Sequence, residues 1–317
     1  MSLHNFHVQF RKRYRWIFFI LVIVISCSSP EETTVNTTTI EDSTDTTTEE
    51  SNEDTNSENF APIDFSNWKI TLPVDEDNNG KPDEYQPDEL KDFGYQTNTS
   101  VQPYMYDDVE DGSLVFFTSP DATTTNSSFS RTELRELINP TTSRENWSLE
   151  TGGTMEGELK MIHITEDPQS SRTYHRTIIM QIHGIISEED LEIHGFSSNS
   201  APPLIKMYWE DGHVWAFKKS LVDESTSGVD LFVVGNDTWY DEKTDMGYVG
   251  FEAFSLKIIA SDARLEIVLN DQEPLIYQDV SLEKWPFENY FKAGNYLQTS
   301  NPEGNASLKY YNLTIQH

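Results

Sequence analysis

Three short segments of this 317-residue chain carry side chains able to hold an anion and move a proton. The first is Ser130-Arg131-Thr132-Glu133-Leu134-Arg135-Glu136-Leu137. Side chains alternate on a strand, so Arg131, Glu133 and Arg135 share one face. Two guanidiniums about 7 Å apart, with a carboxylate between them, form a preorganised receptor for carboxylates. A solvated strand with alternating charges accounts for the same pattern equally well. The second segment is Thr177-Ile178-Ile179-Met180-Gln181-Ile182-His183. Gln181 and His183 project together and Ile178, Met180 and Ile182 point to a core, which sets a neutral donor beside a proton acceptor. A single strand histidine is nevertheless more often structural than catalytic. The third segment is Tyr290-Phe291-Lys292-Ala293-Gly294-Asn295-Tyr296-Leu297-Gln298. It places Tyr290, Lys292, Tyr296 and Gln298 on one face and Phe291, Ala293 and Leu297 on the other. Gly294 leaves room for a ligand or a close backbone approach. An edge hairpin with amphipathic tyrosines would look the same. Each segment alone is ambiguous, but all three set polar, proton-handling groups against apolar partners, which favours a shared cleft.

The elements that must position these groups are strands. Alternating or apolar runs recur at 113–118, 129–138, 154–164, 177–183, 204–209, 213–218, 255–260, 264–269 and 308–315, divided by Gly, Pro, Asn, Asp and Ser clusters. That pattern predicts an all-β fold, a β-sandwich or jelly roll. Helical periodicity is weak, with short turns expected within 86–93 and 282–290. Two polar stretches, 185–200 and 221–245, read as long loops, which in compact domains are usually functional or disordered.

The chain divides into three parts. Residues 1–27 read as an export signal: Arg11, Lys12, Arg13 and Arg15 precede an apolar run over 16–25. Ten residues span about 15 Å as a helix, half a bilayer core, so the run is a signal segment and not a membrane span. It ends at Ser26-Cys27, and Cys27 is the chain's only cysteine. Its place after a small residue is that of a lipoprotein lipidation site, the protein meeting the membrane only through that lipid. Residues 28–59 carry ten acidic and no basic residues and very little apolar surface, a composition expected to stay solvated and extended. Residues 60–317 suffice for one large all-β domain. Beyond the signal there are 18 basic and 54 acidic residues, a net charge of −36, of which about −26 falls on the domain. Such a balance excludes nucleic acid as a partner, since phosphate binding needs a basic surface. A polyanionic ligand would require a local basic cleft, which charge screening over about 8 Å permits.

Taken with their order and spacing, these motifs resemble the family 7 polysaccharide lyases, alginate lyases with a β-jelly-roll fold. The likeness covers nearly the whole domain. It begins at Phe65-Ser66-Asn67-Trp68-Lys69-Ile70-Thr71-Leu72-Pro73-Val74 and continues through Arg131–Arg135, Gln181-Ile182-His183, Pro202-Pro203-Leu204-Ile205-Lys206-Met207-Tyr208 and 290–298. Asn295 and Leu297 stand where the family usually has Val and Asn, and by alternation both point away from the cleft. The resemblance implies a concave cleft that cuts a 1,4-linked uronate polymer, alginate, by β-elimination and needs no cofactor; with the export signal and Cys27 the expectation is a monomer at the cell surface. It implies Arg131 and Gln181 neutralising the uronate carboxylate, with His183 sharing in this or acting as base, and Tyr296 as acid or as shared acid and base. Arg135, Lys292, Tyr290, Gln298 and Glu133 are then substrate-binding residues, with Lys206 and Tyr208 as further candidates. An Ile between the Gln and the His goes with acceptance of guluronate in the family, a lean toward that uronate.

Two other readings remain open at this stage. Glu188-Glu189-Asp190-Leu191-Glu192 has the E-x-D-x-E form of a β-sandwich glycoside hydrolase strand, but charged Glu189 falls where an apolar residue belongs and the run sits in a polar insert. A non-catalytic carbohydrate-binding module on a surface tether is the second; it has no need of a matched Gln, His and Tyr. Finally, Asp75-x-Asp77-x-Asn79-Gly80-x-x-Asp83 has the form of the first half of a calcium loop, with Gln86 in place of the closing Glu. A structural calcium ion there is an expectation, with an Asx-rich turn as the alternative.

Overall fold

The computed structural model describes residues 59–125 and 127–317. The export signal with Cys27, and all of the 28–59 tether except its last residue, lie outside the described residues. In chain order the strands are β1 (Trp68–Thr71), β2 (Glu84–Tyr85), β3 (Met105–Asp108), β4 (Ser113–Thr118), β5 (Arg131–Glu136), β6 (Gly153–Ile164), β7 (Thr177–Ile185) and β8 (Ser200–Glu210). They continue as β9 (His213–Leu221), β10 (Trp239–Tyr248), β11 (Phe254–Ser261), β12 (Arg264–Leu269), β13 (Leu275–Tyr277), β14 (Glu288–Leu297) and β15 (Ala306–Gln316). Four short α-helices intervene, α1 (Pro87–Leu90), α2 (Gly94–Thr97), α3 (Glu188–His194) and α4 (Val280–Glu283), with 3-10 turns at Phe65–Asn67 and Gly228–Phe232.

The strands form two antiparallel sheets that make a sandwich. One has eight strands in the order β10, β9, β8, β7, β14, β5, β1, β2; the other has seven, in the order β13, β12, β11, β6, β15, β4, β3. In β11 and β12 the residues alternate strictly between buried and half-buried, Phe254, Leu256, Ile258 and Ala260 meeting Leu265, Ile267 and Leu269 behind the second sheet. Burying such a side chain stabilises by about 1.5–3 kcal/mol. The first sheet behaves differently. All six residues of β5 are buried, and β14 beside it is buried at seven of ten positions, with Glu288, Tyr290 and Tyr296 half-buried. Both faces of these central strands are covered, one by the apolar core and the other by polar side chains packed on one another.

A local irregularity sets which groups reach that polar face. Between β7 and β8 the register shifts between Ile178 and Met180, and between β7 and β14 it shifts between Ala293 and Tyr296. Ile179 is the extra residue in β7 relative to β8. It joins the main core, while Ile178 moves to the opposite face and packs with Tyr208 and Phe217. The alternation that places Ile178 in the core therefore fails at this bulge, although it holds for Met180 and Ile182. Gly294 lies at φ +137°, and a Cβ there would stand 2.5 Å from the carbonyl of Thr132, so its role is close backbone approach. Asn295 faces the core, where its amide donates to the carbonyls of Phe116 and Ala306 and accepts from Thr177. It ties the two sheets together.

Other expectations are revised. Residues 290–297 lie in the central strand β14, which removes the edge-hairpin alternative, and Gln298 follows the strand's end. The helical turn expected within 282–290 lies earlier, at Val280–Glu283, capped by Asp279, because the chain must extend by Glu288 to enter β14. The 185–200 stretch is not featureless: Ser187 caps α3, which ends at Gly195 in the left-handed region. In the 221–245 stretch only the middle is loop, with β10 starting at Trp239, whose indole is fully buried.

Gly294→Ala should cost about 1–3 kcal/mol, from the clash and the disfavoured backbone together, and should lower the midpoint of a urea unfolding curve accordingly.

Candidate active site

Cross-strand register aligns one row of residues across the exposed face of the eight-stranded sheet. Lys69 on β1 faces Arg135 on β5, which faces Lys292 on β14, then Gln181 on β7, Lys206 on β8, Phe217 on β9 and Lys243 on β10. Neighbouring strands lie about 4.8 Å apart, so the row runs perpendicular to the strands for about 29 Å. Over it lies a cleft of about 520 Å³ whose lining includes Lys69, Arg131, Arg135, Lys206, Lys219 and Lys292 against a single carboxylate, Glu84. Six of the acidic domain's cations gather at this cleft.

Glu133 is the hub of this face. It is 1% exposed and accepts from Arg131 (3.1 Å), from the Lys292 ammonium (2.5 Å) and from the Gln181 amide (2.5 Å). Burial pushes its carboxyl up, but the charges of Lys292 and Arg131 outweigh this and hold it below the usual range. Burial in turn pulls Lys292 down to about 8, against the opposing pull of Glu133. The Arg131 guanidinium carbon lies over the Tyr296 ring, 3.7 Å from its centroid, and its Nε is buried with no hydrogen-bond partner among the described residues. A buried donor without a partner carries a cost of about 1–3 kcal/mol that a ligand oxygen can remove.

His183 lines the cleft and stacks on Tyr290, ring centroids 5.3 Å apart. Its Nδ1 lies 2.8 Å from the Gly184 carbonyl. A carbonyl can only accept, so Nδ1 carries the proton and Nε2 of the neutral ring keeps its lone pair. Burial, then the charge of Lys292, push this imidazole down to about 3. Arg135 stacks over Tyr290 at 4.1 Å and donates to the carbonyls of Glu136 and Ser143 and to Asn146.

The cleft thus brings together Arg131, Arg135, His183, Tyr290 and Lys292 from three strands. Gln181 sits beneath, its amide committed to Glu133, and Glu133 itself touches cations and Gln181 rather than open space. Tyr296 is level with Ile178 and its hydroxyl lies 2.5 Å from that of Ser127, while Tyr290 directly opposes His183. The Gln298 amide turns back to the Tyr296 carbonyl. Lys69, Lys219 and Ser127 were not singled out from the sequence. Lys69 was legible in principle, since it alternates with buried Trp68 and Ile70 in β1 and pairs directly with Arg135. The contribution of Ser127, in a polar loop, has no periodic signal.

The E-x-D-x-E run does not form the carboxylate strand of a hydrolase: residues 188–192 lie in α3, without a buried side chain. At the Asp75–Asp83 turn the three carboxylates approach within 4.8 Å of one another. Asp75 accepts from the backbone of Asn79 and Gly80, Asp77 from that of Asn79, and Asp83 from that of Glu76. This is the bonding of an Asx-rich turn.

Comparison with known proteins follows the same line. A family model described as alginate lyase matches residues 63–317. An alginate lyase of Klebsiella pneumoniae is 26% identical over 298 residues, 80% of this chain and 90% of that protein. The crystal structure of alginate lyase A1-II′, a member of polysaccharide lyase family 7, is 26% identical with a TM-score of 0.59, over 82% of this chain and 97% of that one. A variant of the same enzyme in complex with a product is 25% identical with a TM-score of 0.61, over 81% and 99%. The fold and its cationic cleft define a jelly-roll polysaccharide lyase. Within that class, the chain belongs to the alginate lyase family.

With the imidazole neutral down to about pH 3, kcat/KM should hold its plateau through pH 6.5, where an ordinary histidine would be half protonated. The same shift acts on stability: the unfolded chain takes up a proton near 6.5 that the folded chain refuses until about 3, so stability falls as pH drops through that window. His183→Gln should flatten this part of the urea-midpoint-versus-pH curve relative to wild type.

Proposed function

We propose that the cleft cleaves 1,4-linked uronate polymers by β-elimination, leaving an unsaturated uronate at the new end. The observation that carries this reading is a neutral imidazole with a bare Nε2 in a cleft lined by six cations. In the proposed step Arg131 pairs with the C6 carboxylate, satisfying its free Nε and making C5–H acidic. His183 Nε2 takes the C5 proton, the electron pair forms the C4–C5 double bond, and the C4–O4 bond breaks. Tyr296 gives its hydroxyl proton to O4; solvent then returns a proton from the imidazolium to the phenolate. Preorganised donors aimed at developing charge are worth about 3–4 kcal/mol each, and general acid–base groups roughly 10²–10⁴-fold. Gln181 acts on Arg131 and Lys292 through Glu133. Arg135, Lys292 and Tyr290 bind neighbouring sugars, and Gln298 steadies the end of β14. The reaction as written draws on no metal, and a calcium ion at the Asp75–Asp83 turn would be structural only.

The preferred uronate is guluronate. There the C5 proton and the leaving oxygen lie on opposite faces of the ring, which suits two separate groups on adjacent strands, as His183 and Tyr296 are. Ile182 is fully buried, so any influence on this preference passes through the strand. The enzyme acts as a monomer. It is exported and held at the cell surface by lipid on Cys27, as the basic and apolar run ending at that residue supports.

His183→Ala and Tyr296→Phe should each reduce the appearance of the near-ultraviolet chromophore on alginate at least about 100-fold with folding intact by circular dichroism. Tyr290→Phe should lose far less. If Tyr290→Phe is the inactive variant and Tyr296→Phe is not, the acid has been misassigned. For the anchor, Cys27→Ser should move the protein from the detergent-soluble membrane fraction to the soluble fraction.

A further inference from the structure

The row of cations does not stop where the cleft does. Beyond Lys206 it crosses Phe217 and ends at Lys243 on β10, neither of which lines the cleft. Here the exposed face of the sheet has an apolar base of its own. Tyr208 and Phe217, 3% and 5% exposed, form with Ile178 a cluster separate from the main core, and Tyr296 and Trp215 pack against it. Three cations are held over these rings. Arg176 lies 4.8 Å from the Tyr208 centroid, Lys206 lies 5.7 Å from it, and Lys243 stands 4.8 Å from that of Phe217. Two of the three are already paired: Arg176 with Glu210 at 3.1 Å and Lys206 with Asp241 at 3.1 Å. Lys243 is not. The three carboxylates near it on its own strand are taken by other groups, Asp241 by Lys206 and Lys219, Glu242 by Lys218 at 3.8 Å, and Asp245 by His213 at 3.0 Å. Its ammonium is therefore exposed, steadied by an aromatic ring, and without a carboxylate partner among the described residues.

We infer that Lys243, carried on the Phe217–Tyr208 platform, forms a distal subsite for a carboxylate of the same polyuronate chain, beyond the bond being cut. The spacing fits this use. Lys292, Lys206 and Lys243 occupy every second strand, about 9–10 Å apart, and an extended 1,4-linked chain with twofold character turns every second carboxylate to the same side. Lys243 lies four strands from Lys292, about 19 Å, so only a substrate several sugars long can engage both. The aromatic rings are too deeply covered to stack on sugars; their work is to hold the cations upright beside Glu210, Asp241 and Asp245.

The inference rests on the elimination reading, and the test separates the two. Lys243→Gln and Lys243→Glu would be assayed on polymeric alginate and on the shortest oligosaccharide that wild type turns over. Lys243 is exposed at a strand edge, so both variants should fold. An exposed ion pair supports a rise in KM on polymer of about threefold for Gln, larger for Glu, with kcat kept within about twofold. KM on the short substrate should not change, and the difference on polymer should shrink near 1 M salt, where the screening length is about 3 Å. An unchanged KM on polymer, or an equal rise on both substrates, would overturn the distal subsite while leaving the lyase reading intact. Failure of wild type to form unsaturated ends would overturn the lyase reading itself.

Discussion

The molecule depends on one buried carboxylate. Glu133 sits in the middle of the eight-stranded sheet and binds a guanidinium, an ammonium and an amide at once. Without it, three polar groups from three strands would be left in a space that water scarcely enters, at a cost of about 3–5 kcal/mol for a broken buried pair. With it, Arg131 and Lys292 are held at fixed positions with charge to spare. The hub leaves a net positive charge on the face, while burial of each group itself pulls Lys292 down to about 8 and, together with the charge of Lys292, keeps His183 uncharged. A cleft that must bind a carboxylate and still keep a basic nitrogen needs this compromise, because every added cation makes the histidine harder to protonate at rest.

The scaffold around the hub is built to keep it from moving. Asn295 and Tyr310 cross the sandwich from opposite sides, Asn295 reaching the second sheet's backbone and Tyr310 accepting from Gly294 while donating to Ile179. Both act at the bulge where β7 and β14 fall out of step. The irregularity that misplaces Ile178 relative to simple alternation is thus a pinned feature, and it supplies the apolar patch on which Tyr296 rests.

Much of this was legible from alternation alone. The faces of β5 and β14 follow it, so Arg131, Arg135, Lys292 and Tyr296 come to one surface and Asn295 and Leu297 to the other. Alternation cannot report an extra residue, and Ile178 is where it breaks. Nor can it report partners. Gln181 reads as a donor to substrate, yet only pairing of β7 with β14 and β5 reveals that its amide is committed to Glu133. The loops were least legible. α3 is built from a cap, Ser187, and a left-handed Gly195 within a strongly acidic sequence, and the aromatic contacts of His194 and Phe196 with Phe232 that join it to the 222–238 loop are spaced too far apart to form a pattern.

The separation of charge has a further bearing on how the protein would meet its polymer. A domain with a net charge near −26 and a cationic strip on one face is a strong electric dipole. A negatively charged gel pushes its outer surface away and turns the strip inward, so a random encounter is converted into a productive orientation before any contact forms. The same repulsion discourages the enzyme from sticking to the gel by its back or flanks, leaving it free to detach and turn to the next strand.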